Sequence, residues 1–434
     1  MEKYFQTELG NVSASFDTGQ FGDLETVGTM MQYIEIQKRF WDSIGEGGSF
    51  LASPLLYKDT LYIGCADKNF YALTMDGKEK WRLQVKGIIP YIAIASDDVI
   101  YFGSFDGNLY AVSPEGKLLW TFHTNGKIMV NPTVYEDRIY TGSNDGNMYC
   151  IDAKTRKEIW RFRTNGPQCQ PAIGDGRIIF GHEDQVLYCL NLRGELLWKF
   201  PTSGVVNAFP PAIHEGTVYF GDYDKNTYAV DVRTGKLKWK YEANGVTYPA
   251  TLWENRVYFG TRENMVYCLD AKTGKLIWKF RTNGVVVKVH HSNGVTYFGC
   301  YDNNVYAVDS RTGKLIWKFK TNNFVNEVTI ARDFVYAGSW DCNLYCLNLN
   351  GKMVWKFRSS MASPSKIAPP ETGMIRTLQA TIPTEGVEKE EKYRPEFLGQ
   401  DSGGSQYQIK NTYVMKSKYT GGRKVKSMSS GWED

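Results

Sequence analysis

Between residues 53 and 360 the chain repeats one pattern of hydrophobic and polar positions. Short runs rich in β-branched and aromatic residues alternate with clusters of Gly, Asn and Asp. Residues 285–323 show the unit. Residues 285–289 are apolar, 295–299 and 304–308 flank Tyr301-Asp302-Asn303, and 314–319 come last. Each run has the composition and length of a strand, and each gap that of a turn. No window between them has the spacing of a long amphipathic helix. Strands this close in sequence pair as antiparallel hairpins, so the pattern predicts a four-stranded antiparallel sheet per unit.

The unit recurs eight times. Trp81, Trp120, Trp160, Trp198, Trp239, Trp278, Trp317 and Trp355 are spaced 38 to 41 residues apart. Gly64, Gly103, Gly142, Gly181, Gly221, Gly260, Gly299 and Gly338 keep the same beat. One such sheet cannot bury its own faces, so the copies must stack into a single object. Three residues after each marker glycine stands an acid: Asp67, Asp106, Asp145, Asp184, Asp224, Glu263, Asp302 and Asp341. Asp followed by Gly or Asn is the chemistry of a hairpin turn, where positive φ is tolerated. Eight such turns are expected to point outward around the rim, too far apart to share an ion. A tyrosine recurs as well, at Tyr71, Tyr110, Tyr149, Tyr188, Tyr228, Tyr267, Tyr306 and Tyr345, always followed by Ala or Cys. Ala and Cys interchange where a small, apolar, buried group is needed, which accounts for half of the eight cysteines as packing. Cys342 and Cys346 lack the partner pair that a zinc site needs.

The segments Ala271-Lys-Thr-Gly-Lys-Leu-Ile-Trp278, Ser310-Arg-Thr-Gly-Lys-Leu-Ile-Trp317 and Val232-Arg-Thr-Gly-Lys-Leu-Lys-Trp239 resemble the PQQ-like β-propeller repeat. The resemblance spans residues 53 to 360. Arg156 replaces the turn glycine in the third copy, and other copies shorten the turn, as at Pro114-Glu115-Gly116. It implies an all-β, eight-bladed propeller of four-stranded antiparallel blades, with Trp and Gly docking neighbouring blades and the tryptophans buried between them. Residues 51–360 would form the propeller, 1–50 a non-propeller N-terminal segment, and 361–434 an extended C-terminal tail. Trp41 stands 40 residues before Trp81. Residues 37–41 therefore read as a closing strand or as the end of an amphipathic helix packing on one face of the disc, the latter from the spacing of Met30, Met31, Ile34 and Phe40.

In propellers the innermost strands line a channel. The candidates for that position are Tyr91, Asn131, Gln170, Asn207, Tyr248, Lys288, His290, Asn326 and Glu327, a polar set. His290, His291 and Glu327 are the groups able to hold a cation or serve as acid and base, although a paired His beside a turn is more often hydrogen-bonded in place. Quinone-dependent dehydrogenases share the blade motif but carry an adjacent Cys-Cys pair, and this chain has none. No quinone cofactor and no metal is therefore expected.

A net charge of +4 on 434 residues predicts no specific polyanion partner. The N-terminus shows no apolar leader, no stretch has the length of a membrane span, and the cysteines form no disulfide framework, which together predict a cytoplasmic protein. The tail differs in composition. Between residues 403 and 429 it carries Lys410, Lys416, Lys418, Arg423, Lys424 and Lys426 without an acid, interleaved with Tyr407, Tyr413 and Tyr419. Such a segment lacks the means to build a core and suits a partner-binding arm. The expectation is a non-catalytic protein-interaction scaffold, docking through disc faces and tail on a protein or ribonucleoprotein complex. Direct nucleic-acid binding would be weak, and nothing indicates a homo-oligomer. The alternative is a small-ligand or quinone-dependent enzyme or sensor using the channel mouth.

Overall fold

A computed structural model describes residues 47–361 and 363, apart from 165–168 and 207–208. They form thirty-two strands in eight four-stranded antiparallel sheets, with no helix among the described residues. Each sheet is one contiguous stretch: 55–84, 94–123, 133–163, 172–201, 212–242, 251–281, 289–320 and 325–358. Within every sheet the strands pair in chain order. The first strands of neighbouring sheets approach one another, so they surround the axis and the fourth strands form the outer edge. This is the eight-bladed propeller that the repeat implies.

The innermost strand starts later than the apolar pattern predicts. In blade seven it is Val289–Ser292, not 285–289. Residues 285–288 instead form the connection from blade six, pinned by Tyr301 N–H donating to Val285 O at 3.0 Å. The run reads as a strand because Val285, Val286 and Val287 are all buried, wedged between turns of adjacent blades. The same wedge explains the marker glycines. A Cβ on Gly64 would stand 2.2 Å from Ile89, and one on Gly103 2.3 Å from Ile128. No larger residue leaves room for the crossing connection.

The Trp series works at the seams, but less deeply than expected. Trp239 and Trp278 are buried; the other six are half-buried. They lie on the fourth strands, where only the neighbouring blade covers them. Among the described residues, seven of the eight indoles donate to a backbone carbonyl of the next blade's turn. Examples are Trp278 Nε1 to Ser310 O at 3.0 Å and Trp239 Nε1 to Ala271 O at 2.8 Å. At the same seven seams a left-handed turn glycine lies on the indole face, as Gly313 does on Trp278. The exception is Trp120, and the corresponding turn position in blade three is Arg156, held at φ 62°. The copy that lacks the glycine also lacks the indole hydrogen bond.

Among the described residues the ring closes without a shared strand. Residues 48–54 take the place that the connections occupy elsewhere. Ala66 N–H donates to Ser49 O at 3.1 Å, as Phe105 N–H does to Ile88 O at 3.0 Å. Trp355 Nε1 reaches Met75 O at 2.9 Å across the junction of blades eight and one. The outgoing chain seals it, with Ser359 Oγ donating to Gly48 O at 2.7 Å and Ser360 Oγ to Asp67 Oδ2 at 2.8 Å. Residues 37–41, the candidate closing strand or helix end, lie outside the described residues.

Candidate functional site in the central channel

The turn acids serve the blades. The residue after each has positive φ in all eight copies, from Lys68 to Cys342, which confirms the hairpin chemistry. They do not point outward. The turns lie at the same end of the sheets as the interblade connections, and the carboxylates tuck beneath them. Asp145 accepts from Tyr149 Oη at 2.7 Å, from Asn147 N–H at 3.0 Å, and from Asn125 N–H of the preceding connection at 3.0 Å. Asp302 and Asp341 repeat this arrangement with Tyr306 and Tyr345. In six blades the recurring tyrosine is thus the partner of the recurring acid, whereas in blade six Tyr267 Oη accepts from Asn244 N–H at 3.3 Å instead. In blade five the role passes to Asp222, fully buried, which accepts from Tyr228 Oη at 2.8 Å. Burial pushes its carboxyl above the usual range. The Ala or Cys after each tyrosine is buried in every copy.

The channel candidates come from the connections and innermost strands. Tyr91, Asn131, Gln170, Tyr248 and Lys288 precede first strands; His290 lies on Val289–Ser292, and Asn326 and Glu327 on Val325–Ala331. Asn207 and the nine tail residues lie outside the described residues. The structure joins Lys288 and Glu327, with Nζ to Oε2 at 3.4 Å and side chains 19% and 6% exposed. Tyr91 packs its ring edge-on against Phe209 at 6.1 Å. These residues enter from blades three apart, so the pair spans the opening. Burial pushes the Tyr91 hydroxyl up, and neighbouring Tyr223, Glu327 and Cys169 reinforce this. Phe209, Tyr223 and Cys169 were not singled out by sequence reasoning: Phe209 and Cys169 fall in the connections between blades, and Tyr223 stands two residues after marker Gly221, at a position whose residue changes from copy to copy.

The two histidines part company. His291 bridges blades six and seven, with Nε2 at 2.9 Å from Thr251 Oγ1 and Nδ1 at 3.0 Å from Thr296 Oγ1. Burial lowers it to about 4, so it is neutral and structural. His290 faces inward, and burial, Lys288 and His291 hold it well below the usual imidazole value. Asn326 Nδ2 donates to Leu51 O at 2.6 Å, tying blade eight to the closing wedge. Asn131 Oδ1, His290 Nε2 and Asn326 Oδ1 are buried and make no hydrogen bond within the described fold. The set can bind water or a small polar molecule. Among the described residues, no group of three or more His, Cys, Asp or Glu is arranged to hold a metal ion.

A model of the family described as outer membrane protein assembly factor BamB matches residues 105–248 and 242–368. A search of curated proteins finds no match. Among solved structures, the computationally designed Ika8 protein is 15% identical, with 73% of this chain and 98% of that chain covered at a TM-score of 0.63. BamB from Moraxella catarrhalis is 16% identical, covering 66% and 93% at 0.58. Saccharomyces cerevisiae Sqt1 is 12% identical, covering 68% and 94% at 0.61. At these identities the likeness is one of fold.

Proposed function

From the premise that the chain belongs to the repeat family of outer membrane protein assembly factor BamB, we propose that it is a non-catalytic interaction scaffold, a subunit or assembly factor of a larger complex. The observation that carries this reading is the family match across residues 105–368. The chemistry of the repeat supports it. Its acids, tyrosines and indoles are committed to turns and seams. In the channel, Lys288 and Glu327 hold each other. The eight cysteines are free and buried, which supports a reducing, cytoplasmic compartment.

The tail supplies the docking arm in this reading, through Tyr407, Tyr413 and Tyr419 with the six bases from Lys410 to Lys426. Lysine and arginine draw in an acidic surface, and aromatic side chains supply buried contacts. Ser363 takes part in the ring seam, with Gly48 N–H donating to Ser363 O at 2.8 Å. The test therefore removes only residues 364–434. Purification from source cells should lose the co-purifying protein while the melting temperature of the disc stays unchanged. A partner retained by the truncated protein would refute the arm and move the docking surface to the disc.

A further inference from the structure

The outer edge of the disc is uneven in charge. The fourth strands and preceding turns of blades six, seven and eight are residues 270–281, 309–320 and 348–358. They carry eleven bases and two acids, 11 − 2 = +9, against +4 for the whole chain. All eleven bases are exposed, and one of them, Arg311, is already paired with Glu254 of blade six's first hairpin at 3.1 Å. The two acids are engaged in their own turns, Asp270 with Thr273 and Asp309 with Thr312, each at 2.7 Å. Beside the bases stand Leu276, Ile277, Leu315, Ile316, Met353 and Val354, between 41% and 53% exposed. Blade four carries an exposed pair of the same kind, Leu196 and Leu197 at 44% and 46%, so it is the charge beside the pairs that sets blades six to eight apart. Blade one ends the band: its strand has Glu79-Lys80 there, and Glu79 pairs with Arg82 at 2.9 Å.

The occupant of this edge has to be acidic, apolar and able to bend. Eight blades around one axis turn by about 45° each, so a flat surface meets only one or two of them. A polypeptide segment can follow the arc. Two segments of this chain lie outside the described fold. Residues 1–46 hold three bases and eight acids, 3 − 8 = −5, while residues 364–434 hold eleven bases and nine acids, 11 − 9 = +2. The first segment also supplies Met30, Met31, Ile34 and Phe40. It enters the fold at residue 47, beside Gly48, which is held by Ser359 of blade eight's outgoing chain. Fully extended, 46 residues reach roughly 150 Å. Tethering raises the segment's local concentration to roughly millimolar.

We propose that residues 1–46 lie along the outer edge of blades six to eight, with their acids on the exposed bases and their apolar side chains on the aliphatic rows. This stands apart from the scaffold reading, since it concerns a surface that the chain covers for itself and leaves the disc faces and tail to partners.

The test uses the full-length protein with the photoreactive residue benzoylphenylalanine in place of Ile316, irradiated at low concentration and mapped by mass spectrometry. The expected result is cross-linking to residues within 1–46 of the same chain. A reporter in place of Leu118 on blade two, outside the band, should give only background. Lys279→Glu, Lys318→Glu and Lys356→Glu together should cut the yield about fivefold or more with an unchanged melting temperature, and 1 M salt should act in the same direction. Cross-links to a second copy, to residues 364–434 or to another protein would overturn the proposal. So would equal yields at the two reporter positions, or a yield that charge reversal leaves unmoved.

Discussion

Replacing Gly313 with Ala tests the seam directly. The residue sits at φ +70°, and an added Cβ would stand 2.7 Å from Trp278 Cδ2. Ordinary contact is about 3.5–4.0 Å, so the indole must retreat by close to an ångström. Three losses follow. An L-residue held in the left-handed region costs about 1 kcal/mol. The hydrogen bond from Trp278 Nε1 to Ser310 O, 3.0 Å long, contributes about 1 kcal/mol net. Displacing a buried aromatic from its packed position costs about 1 kcal/mol more. The sum is roughly 3 kcal/mol, and equilibrium urea unfolding can measure it. Gly294→Ala is the control: its φ is +76°, and the nearest atom is Trp253 Cη2 at 3.9 Å. It should cost only the backbone term, about 1 kcal/mol. Arg156 supplies the reverse experiment, because it already holds φ 62° opposite Trp120. Arg156→Gly should stabilise by about 1 kcal/mol. If Gly313→Ala costs no more than Gly294→Ala, the glycine does not bear on the indole and the account of the seam is wrong.

Two further outcomes follow from buried groups. His291 is depressed to about 4 by burial, so the unfolded chain takes up the proton first. Stability is full above about pH 6.5 and is lost as pH falls towards 4, by about 3 kcal/mol at most; His290 shifts the same way and adds to the slope. His291→Gln should flatten that slope in urea melts, and an unchanged slope would show that the ring is not buried neutral. Lys288→Met leaves the Glu327 carboxylate, whose side chain is 6% exposed, without its amine, at a cost of about 3–5 kcal/mol. The Lys288→Met, Glu327→Leu double variant should recover most of this, and a single variant costing below about 1 kcal/mol would dissolve the pair.

The architecture was legible because it is written eight times. Marker glycine, turn acid, tyrosine and tryptophan each recur at one register, and the periodicity gave blade count and strand order directly. The first strands were misplaced for a physical reason. Connection residues such as Val285 to Val287 are buried as deeply as strand residues, and burial is what an apolar run reports. The tryptophans were expected to be buried, but a fourth strand has no fifth strand outside it. In six blades the Tyr–Asp pairing was present in the sequence as an offset of four residues; the two series were read separately, one as turn and one as packing. In the channel, sequence placed Lys288 and Glu327 in the right region without pairing them. Phe209 and Cys169 escaped because nothing in the repeat predicts a residue that departs from it.

That last point bears on where function resides in such a molecule. A group present in every copy at the same register is there for something every blade needs, and the seams and turns account for the acids, tyrosines, glycines and indoles. What serves one partner must break the eightfold pattern. Two kinds of break stand out. In the channel, Tyr91, Phe209, Lys288, His290 and Glu327 are unlike the residues at equivalent positions. On the outer edge, bases outnumber acids by nine through blades six, seven and eight, and the excess falls to one at residues 74–84 of blade one, 3 − 2 = +1. The net charge of +4 predicted no polyanion partner, yet it is the sum of +9 on that arc and −5 elsewhere, and residues 1–46 alone carry −5. Averaging over a closed ring hides polarity that the ring is able to use. The sequence after residue 46 and the blades it joins are best read as one asymmetric object, in which the copies supply rigidity and the departures supply recognition.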